Sequence, residues 1–230
     1  MAQGQKPFLI ALAAIVVAGG AFIAVRMSGG AVSIPANPVV TTADTAGFRG
    51  YVMGSATAPI EITEYGDFEC PQCAVFAAVH FPDIKARLID TGKARFRYRD
   101  FPLSIHRHSR VAAHAAACAD EQGKFWPMEE GIFGRQTEWS LKSDPVSIMQ
   151  EIAVGAGANG TTWLDCMKSA KFAGRIQASY DEGVRLGVPS TPTFLIEGRL
   201  FPGMSADQMV HVVDSLIAAK SAAPAVAPNQ

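Results

Sequence analysis

The chain has 230 residues, a formal net charge of −1 and 49% hydrophobic residues. That length suits one domain with appendages and is ample to bury a core. A charge so near zero argues against a general nucleic-acid binder, so no nucleic acid is expected as a partner.

Residues 7–25 form an uncharged, mostly apolar run between Lys6 and Arg26. A helix of about 20 such residues just crosses a bilayer, whereas the apolar core of a cleaved signal peptide is about 7–15 residues. Residues 1–27 are therefore expected to be an N-terminal membrane anchor. The alternative is a signal segment cleaved at the small residues Ser28, Gly29, Gly30 and Ala31. Residues 28–46 carry Gly, Pro, Ala and Thr with almost no charge and read as a linker. Residues 221–230, rich in Ala and Pro, read as a disordered tail.

The folded domain is expected over 47–220. Residues 48–52 read as a short edge strand. Residues 60–65 alternate apolar and polar side chains and stop at Gly66, a strand pattern. A helix then starts at Cys70 or Pro71, where proline loses no hydrogen bond, and runs to about 89. Residues 93–101 read as a second strand whose Arg95, Arg97 and Arg99 form one basic, solvated face. From 106 to 174 the chain is helical, with segments at 106–122, 124–133, 145–155 and 161–170. A further helix at 173–186 is closed by Gly187. Residues 193–197 and 200–201 read as a hairpin turning at Gly198-Arg199, and Ser205 caps a last helix to about 220. The order predicts an α/β fold in which a strand–helix–strand half and a hairpin–helix half share one mixed sheet, with a helical insertion at about 104–174.

Four cysteines, Cys70, Cys73, Cys118 and Cys166, are an even set but too sparse for a disulfide scaffold. Cys70 and Cys73, at i and i+3 on a helix start, face the same side and can bridge. The N–H groups and dipole of the helix favour a thiolate at Cys70. Cys73, one turn in, is expected to be more buried and to resolve. A structural bridge there would close a tiny loop and remove little entropy from the unfolded chain. Half of a zinc site is the other reading, with His106, His108 or His114 completing it; a structural site wants four ligands and no second CxxC exists. No metal and no cofactor are expected. A carboxylate beneath Cys73 would take its proton, and Glu61 and Glu64 on the first strand are the candidates. Phe68, Phe101 and Phe201 are candidates for an apolar rim that receives unfolded chains, or for core.

The segment Asp67-Phe68-Glu69-Cys70-Pro71-Gln72-Cys73 after its strand resembles the active site of the DsbA-like thiol:disulfide oxidoreductases of the thioredoxin superfamily. Gly187-Val188-Pro189-Ser190-Thr191-Pro192-Thr193-Phe194 resembles their second signature. The resemblance covers roughly 54–219. It implies a thioredoxin fold with a mixed central sheet and helical insertion. It implies a cis Thr191–Pro192 bond beside Cys70 and Cys73, and site residues Cys70, Pro71, Gln72, Cys73, Thr191 and Pro192. It also implies a structural disulfide between Cys118 and Cys166 inside the insertion, the alternative being two free, packed cysteines. Two departures bear on redox strength: Gln72 stands where strongly oxidising members often have histidine, and Glu69 adds negative charge beside Cys70. Pro71 is shared with the oxidases more than the isomerases.

The expected function is a thiol–disulfide oxidoreductase that donates its Cys70–Cys73 disulfide to folding proteins with free thiols. A membrane redox partner, a quinone-linked oxidase, would reoxidise it. Disulfide donation belongs outside the reducing cytosol, so the domain is expected on the extracytoplasmic, periplasmic side of a bacterial inner membrane, anchored there or released by cleavage. The alternatives are a reductase or isomerase, and a non-catalytic module that binds metal or unfolded protein.

Overall fold

The structure, a computed structural model, describes residues 32–222. The predicted anchor or signal segment and residues 223–230 of the predicted tail lie outside the described residues. Among the described residues no helix is long and apolar enough to cross a membrane.

The sheet has five strands: β1 (Tyr51–Met53), β2 (Ile60–Gly66), β3 (Ala94–Asp100), β4 (Thr193–Ile196) and β5 (Arg199–Pro202), in the order β1-β3-β2-β4-β5. β2 and β3 are parallel and every other pairing is antiparallel. This is the mixed sheet expected from the order of elements. The β4–β5 turn falls one residue earlier than predicted. Glu197 and Gly198 both have positive φ (47° and 75°), the two-residue geometry whose twist matches that of the strands, and Arg199 is already in β5.

Strand alternation sorts the residues of β2 and β3 onto two faces. Ile60 and Ile62 lie on one face with their neighbours Ala94 and Phe96, and all four are buried in the main core with Phe194, Ile196, Met209 and Val213. Glu64, opposite Tyr98, continues that same face. The other face carries Tyr65, which packs with Phe101 and Val188. Arg95, Arg97 and Arg99 also lie there, but not as a solvated basic face. Glu61 binds Arg95 and Arg97 at 2.5 and 2.6 Å, and Glu182 binds Arg99 at 2.6 Å.

The helix after β2, α2 (residues 71–89), alternates α-helical turns at Pro71–Val75 and Phe81–Ile84 with wider π turns at Phe76–His80 and Lys85–Ile89. Pro82 has no N–H to give the preceding turn, so the ladder re-registers around it rather than ending. The insertion consists of α3 (Ser109–Asp120), α4 (Phe125–Gly134), α5 (Gln136–Trp139), α6 (Val146–Gly155) and α7 (Gly160–Ser169). It is followed by α8 (Ala173–Leu186) and, after the hairpin, α9 (Ala206–Ala222), which runs two residues into the predicted tail. Ser205 and Gln208 cap α9 reciprocally. The first helix, α1 (Thr42–Thr45), is a single turn inside the predicted linker. Part of that linker lies against the domain: Asp44 and Thr45 line a cavity together with Arg99, Arg175 and Glu182.

Within the insertion the Trp163 indole donates to the Ala115 carbonyl at 2.9 Å, and the Trp139 indole to that of Ile132 at 2.8 Å. Cys118 of α3 and Cys166 of α7 are joined by a disulfide, with a sequence separation of 48. Closing a loop of that size restricts the unfolded chain. Replacing both cysteines by alanine is expected to lower stability by about 2–4 kcal/mol, read as the free energy of urea unfolding, with a slope that does not fall because the released unfolded chain exposes more surface; an unchanged free energy would show that the bridge adds nothing.

Candidate active site

β2 ends at Gly66, whose missing side chain is required. A Cβ there would stand 2.5 Å from the Tyr98 ring. Asp67 then turns the chain toward α2. Its carboxylate, buried, accepts from the N–H groups of Glu69 and Leu103 at 2.8 Å each, from the Ser109 hydroxyl, and pairs with His106 Nδ1 at 2.7 Å. Its own N–H points at Cys73 Sγ at 3.5 Å. Asp67 thus ties strand end, following loop and the Cys73 sulfur into one unit.

Cys70 is the N-cap of α2, in extended conformation, with Pro71 in the first turn. Cys70 and Cys73 are both free thiols, 6% and 0% exposed. The Thr191–Pro192 bond is cis, and the Cys70 thiol points at the Thr191 carbonyl at 3.4 Å. The two sequence blocks, more than a hundred residues apart, therefore meet at one sulfur.

The Cys70 thiol is lowered to about 5. The largest cause is the Cys73 thiol donating to it; Thr191 and the main-chain N–H groups of Cys73 and Gln72 add to this, against the opposing effect of burial. The Thr191 carbonyl can only accept and so favours the protonated thiol. What Thr191 offers the thiolate is its hydroxyl, which is buried and has no other partner. The help from Gln72 is its backbone N–H; the side chain is exposed. Glu69 is engaged elsewhere, by the N–H of His108.

Cys73 moves the other way, well above a normal thiol. Burial is the main cause, followed by the hydrogen bond to Cys70 and the charge of Glu64. Of the two glutamates considered, strand alternation selects Glu64. Its carboxyl is buried, one oxygen has no partner, and burial with the nearby charges of Glu129 and Cys70 raises it well above the usual carboxylate range. Glu61 lies on the opposite face with Arg95 and Arg97.

The histidines considered as metal ligands do not gather at Cys70 and Cys73. His106 is on Asp67, and His108 Nε2 is 2.8 Å from the Lys142 carbonyl. His114 is beside the other disulfide, 3.4 Å from Cys118 Sγ. Phe68 and Phe101 are core rather than rim: Phe68 packs on Tyr98 and Phe133, Phe101 on Tyr65 and Tyr180. Phe201 is half-buried against the main core. The groove beside Cys70, about 380 Å³, is lined instead by Gln72, Val75, His80, Pro192, Met204 and Gln208, among others.

One contact has no precedent in the sequence reading. Gln136, 8% exposed, donates from Nε2 to the Phe68 and Cys70 carbonyls at 2.7 and 3.0 Å. It lies in a stretch that reads as a break between helices, and only the docking of the insertion gives it this role. Gln136→Leu strands the Phe68 carbonyl and leaves that of Cys70 with the Ala74 N–H alone, and is expected to cost about 1–3 kcal/mol by urea unfolding; a loss under 0.5 kcal/mol, roughly the effect of an ordinary surface change, would show that the Phe68 carbonyl finds another partner.

The folded-state value of Cys70 is depressed, so it stabilises the dithiol form. That contribution is complete above the unfolded thiol value near 9 and fades as pH falls through about 5. Thiolate absorbance of the reduced protein is expected to titrate near pH 5 as a single group, with Cys73 silent into the alkaline range. Thr191→Val should raise the midpoint by about one pH unit, the worth of one charge-assisted hydrogen bond. A midpoint near that of a free thiol would contradict the geometry.

The family model described as Thioredoxin matches residues 48–215. The Na(+)/H(+) antiporter NhaA 3 of Salinispora tropica is 31% identical over 156 residues, which are 67% of this chain and 22% of that protein, so the chain spans about a fifth of the antiporter. Disulfide bond formation protein D of Bacillus subtilis is 24% identical over 155 residues, covering 65% of this chain and 68% of that protein. Among solved structures, Chlamydia trachomatis DsbA superposes with a TM-score of 0.68 at 21% identity, over 80% of this chain and 100% of that one. With its sheet order, its cis proline opposite Cys70 and its helical insertion, the chain belongs to the thioredoxin family and has the DsbA-like fold.

Proposed function

We propose that the domain is an extracytoplasmic protein thiol:disulfide oxidoreductase that donates the Cys70–Cys73 disulfide to folding proteins. The observation that carries this reading is the opposed pair of thiols: Cys70 held as a thiolate at the α2 N-terminus, Cys73 buried and protonated behind it. In the oxidised form a substrate thiolate attacks Cys70 Sγ. The Cys70–Cys73 bond breaks, its electron pair goes to Cys73 Sγ, and Cys73 takes a proton from Glu64. A second substrate thiolate then attacks the substrate sulfur of the mixed disulfide, and Cys70 leaves as the stabilised thiolate. The substrate is oxidised by two electrons and the enzyme pair is reduced.

The groove beside Cys70 suits an extended substrate chain, and the Thr191 backbone is at hand for strand-like pairing with it. The Bacillus subtilis relative's name, disulfide bond formation protein D, points in the same direction. Reoxidation needs an external acceptor, for which a membrane quinone-linked oxidase is the proposed partner. The apolar run at 7–25 is the proposed anchor that holds the domain near it on the periplasmic face.

Cys70→Ser is expected to abolish oxidation of a reduced, unfolded substrate, and Cys73→Ser to trap the mixed disulfide. The potential of the pair, titrated against glutathione, should lie well above the roughly −270 mV of thioredoxin. A value at or below that figure would overturn the oxidase direction in favour of a reductase. Activity surviving in Cys70→Ser would overturn the enzyme assignment.

A further inference from the structure

Reduction of the pair delivers a proton to Cys73, which is 0% exposed, and Glu64 behind it is only 3% exposed. A carboxyl that gives up its proton in the interior must be recharged from solvent. Cys73 does not reach it, and Glu64 barely does.

α4 supplies the missing link. Phe125, Glu129 and Phe133 are spaced i, i+4, i+8 and share one face of that helix. Phe125 lies against Tyr98 with ring centroids 5.7 Å apart, and Phe133 against Phe68 at 5.0 Å. Tyr98 is the direct cross-strand neighbour of Glu64, and Phe68 lies 5.2 Å from Tyr98. Glu129 is thus bracketed by two rings that rest on the surroundings of Glu64. Glu64 Oε1 and the Tyr98 hydroxyl are buried with no hydrogen-bond partner among the described residues, and Glu129 heads the charges that act on Glu64. On its other side Glu129 lines a groove of about 610 Å³ between α2 and α4, walled by Ala77, Phe81, Trp126 and Pro127.

We propose that Glu129 is the outer member of a two-carboxyl proton route, Cys73–Glu64–Glu129, that opens into this groove. The inference rests on the disulfide-exchange reading and extends it to a residue of the helical insertion. Glu129 is 7% exposed, and among the described residues no hydrogen bond holds its proton. Burial, with Glu130 beside it, raises it to about 8, so it is protonated at neutral pH and can donate. The groups that face the route are Glu130 on α4, Lys85 at the groove wall, Tyr98 on β3, Glu64 on β2, and Cys70 and Cys73 on α2. On disulfide cleavage the proton passes from Glu64 to Cys73 Sγ, and Glu129 restores it to Glu64 from the groove. When Cys73 is oxidised again the same proton leaves by the reverse path.

The test is single-turnover reduction of the oxidised protein by a cysteine peptide between pH 6 and 9, with rates divided by the peptide's own thiolate fraction. The wild-type rate is expected to fall as pH rises through about 8, where Glu129 loses its proton. Glu129→Gln, neutral and of the same shape, should remove that step and slow the reaction at pH 7 by about tenfold, a modest share of a typical proton-transfer contribution. Glu130→Gln, which takes away a charge that helps raise Glu129, should keep the step but move it to lower pH. An infrared difference spectrum between oxidised and reduced wild-type protein supplies a second reading without a variant. Carboxylic-acid C=O bands should shift at pH 7 and lose intensity as pH rises through about 8, where Glu129 ionises. A Glu129→Gln profile that overlays the wild type, or a wild-type spectrum with no carboxylic-acid change, overturns the route. If the wild type fails to react with the peptide at all, the disulfide-exchange reading falls as well.

Discussion

The site depends on where one negative charge is allowed to sit. Cys70 occupies the N-cap of α2, where the main-chain N–H groups of Cys73 and Gln72 favour the thiolate and Thr191 adds to them. Lowering the thiol from 9.0 to about 5 corresponds at neutral pH to about 3 kcal/mol, because only the interval between pH 7 and 5 counts. That free energy favours the dithiol over the disulfide and makes the disulfide a better oxidant. Glu64 and the closed surroundings of Cys73 act in the same sense. They keep the second thiol protonated, so only one charge has to be stabilised.

The insertion is more than a cover. Gln136 holds the two carbonyls that flank the start of α2, Ser109 and His106 hold the Asp67 carboxylate, and Phe133 packs on Phe68. All of these fix the turn from β2 into α2, and with it the direction in which the helix N–H groups point. The Cys118–Cys166 bridge ties α3 to α7 within the same block. The neutral His114 beside it, lowered to about 4 chiefly by burial, adds no charge to that interior.

Much of the site is legible in the sequence. The alternation in β2 already separates Glu64 from Glu61, because a strand sends successive side chains to opposite faces. Which face carries α2 is not written in the strand itself; it follows from the crossover to β3, so both glutamates stood as candidates. The arginines of β3 show the same limit. Their alternation was clear, but a charged face becomes solvated or ion-paired according to what covers it, and here α8 brings Glu182. Phe68 and Phe101 were ambiguous for the same reason. A large apolar residue beside a reactive cysteine serves equally as rim or core until its neighbours are known.

The sequence by itself determined the order of elements, the reactive pair at a helix start and the partner block around Thr191-Pro192. These rest on local rules: strand periodicity, helix capping, and the intrinsic preferences of proline and glycine. The tertiary structure alone decided which carboxyl stands behind Cys73, that Gln136 anchors the Cys70 carbonyl, and that Glu129 sits between two rings above Glu64. Each of those is a contact between segments far apart in the chain, and local pattern carries no information about distance across a core.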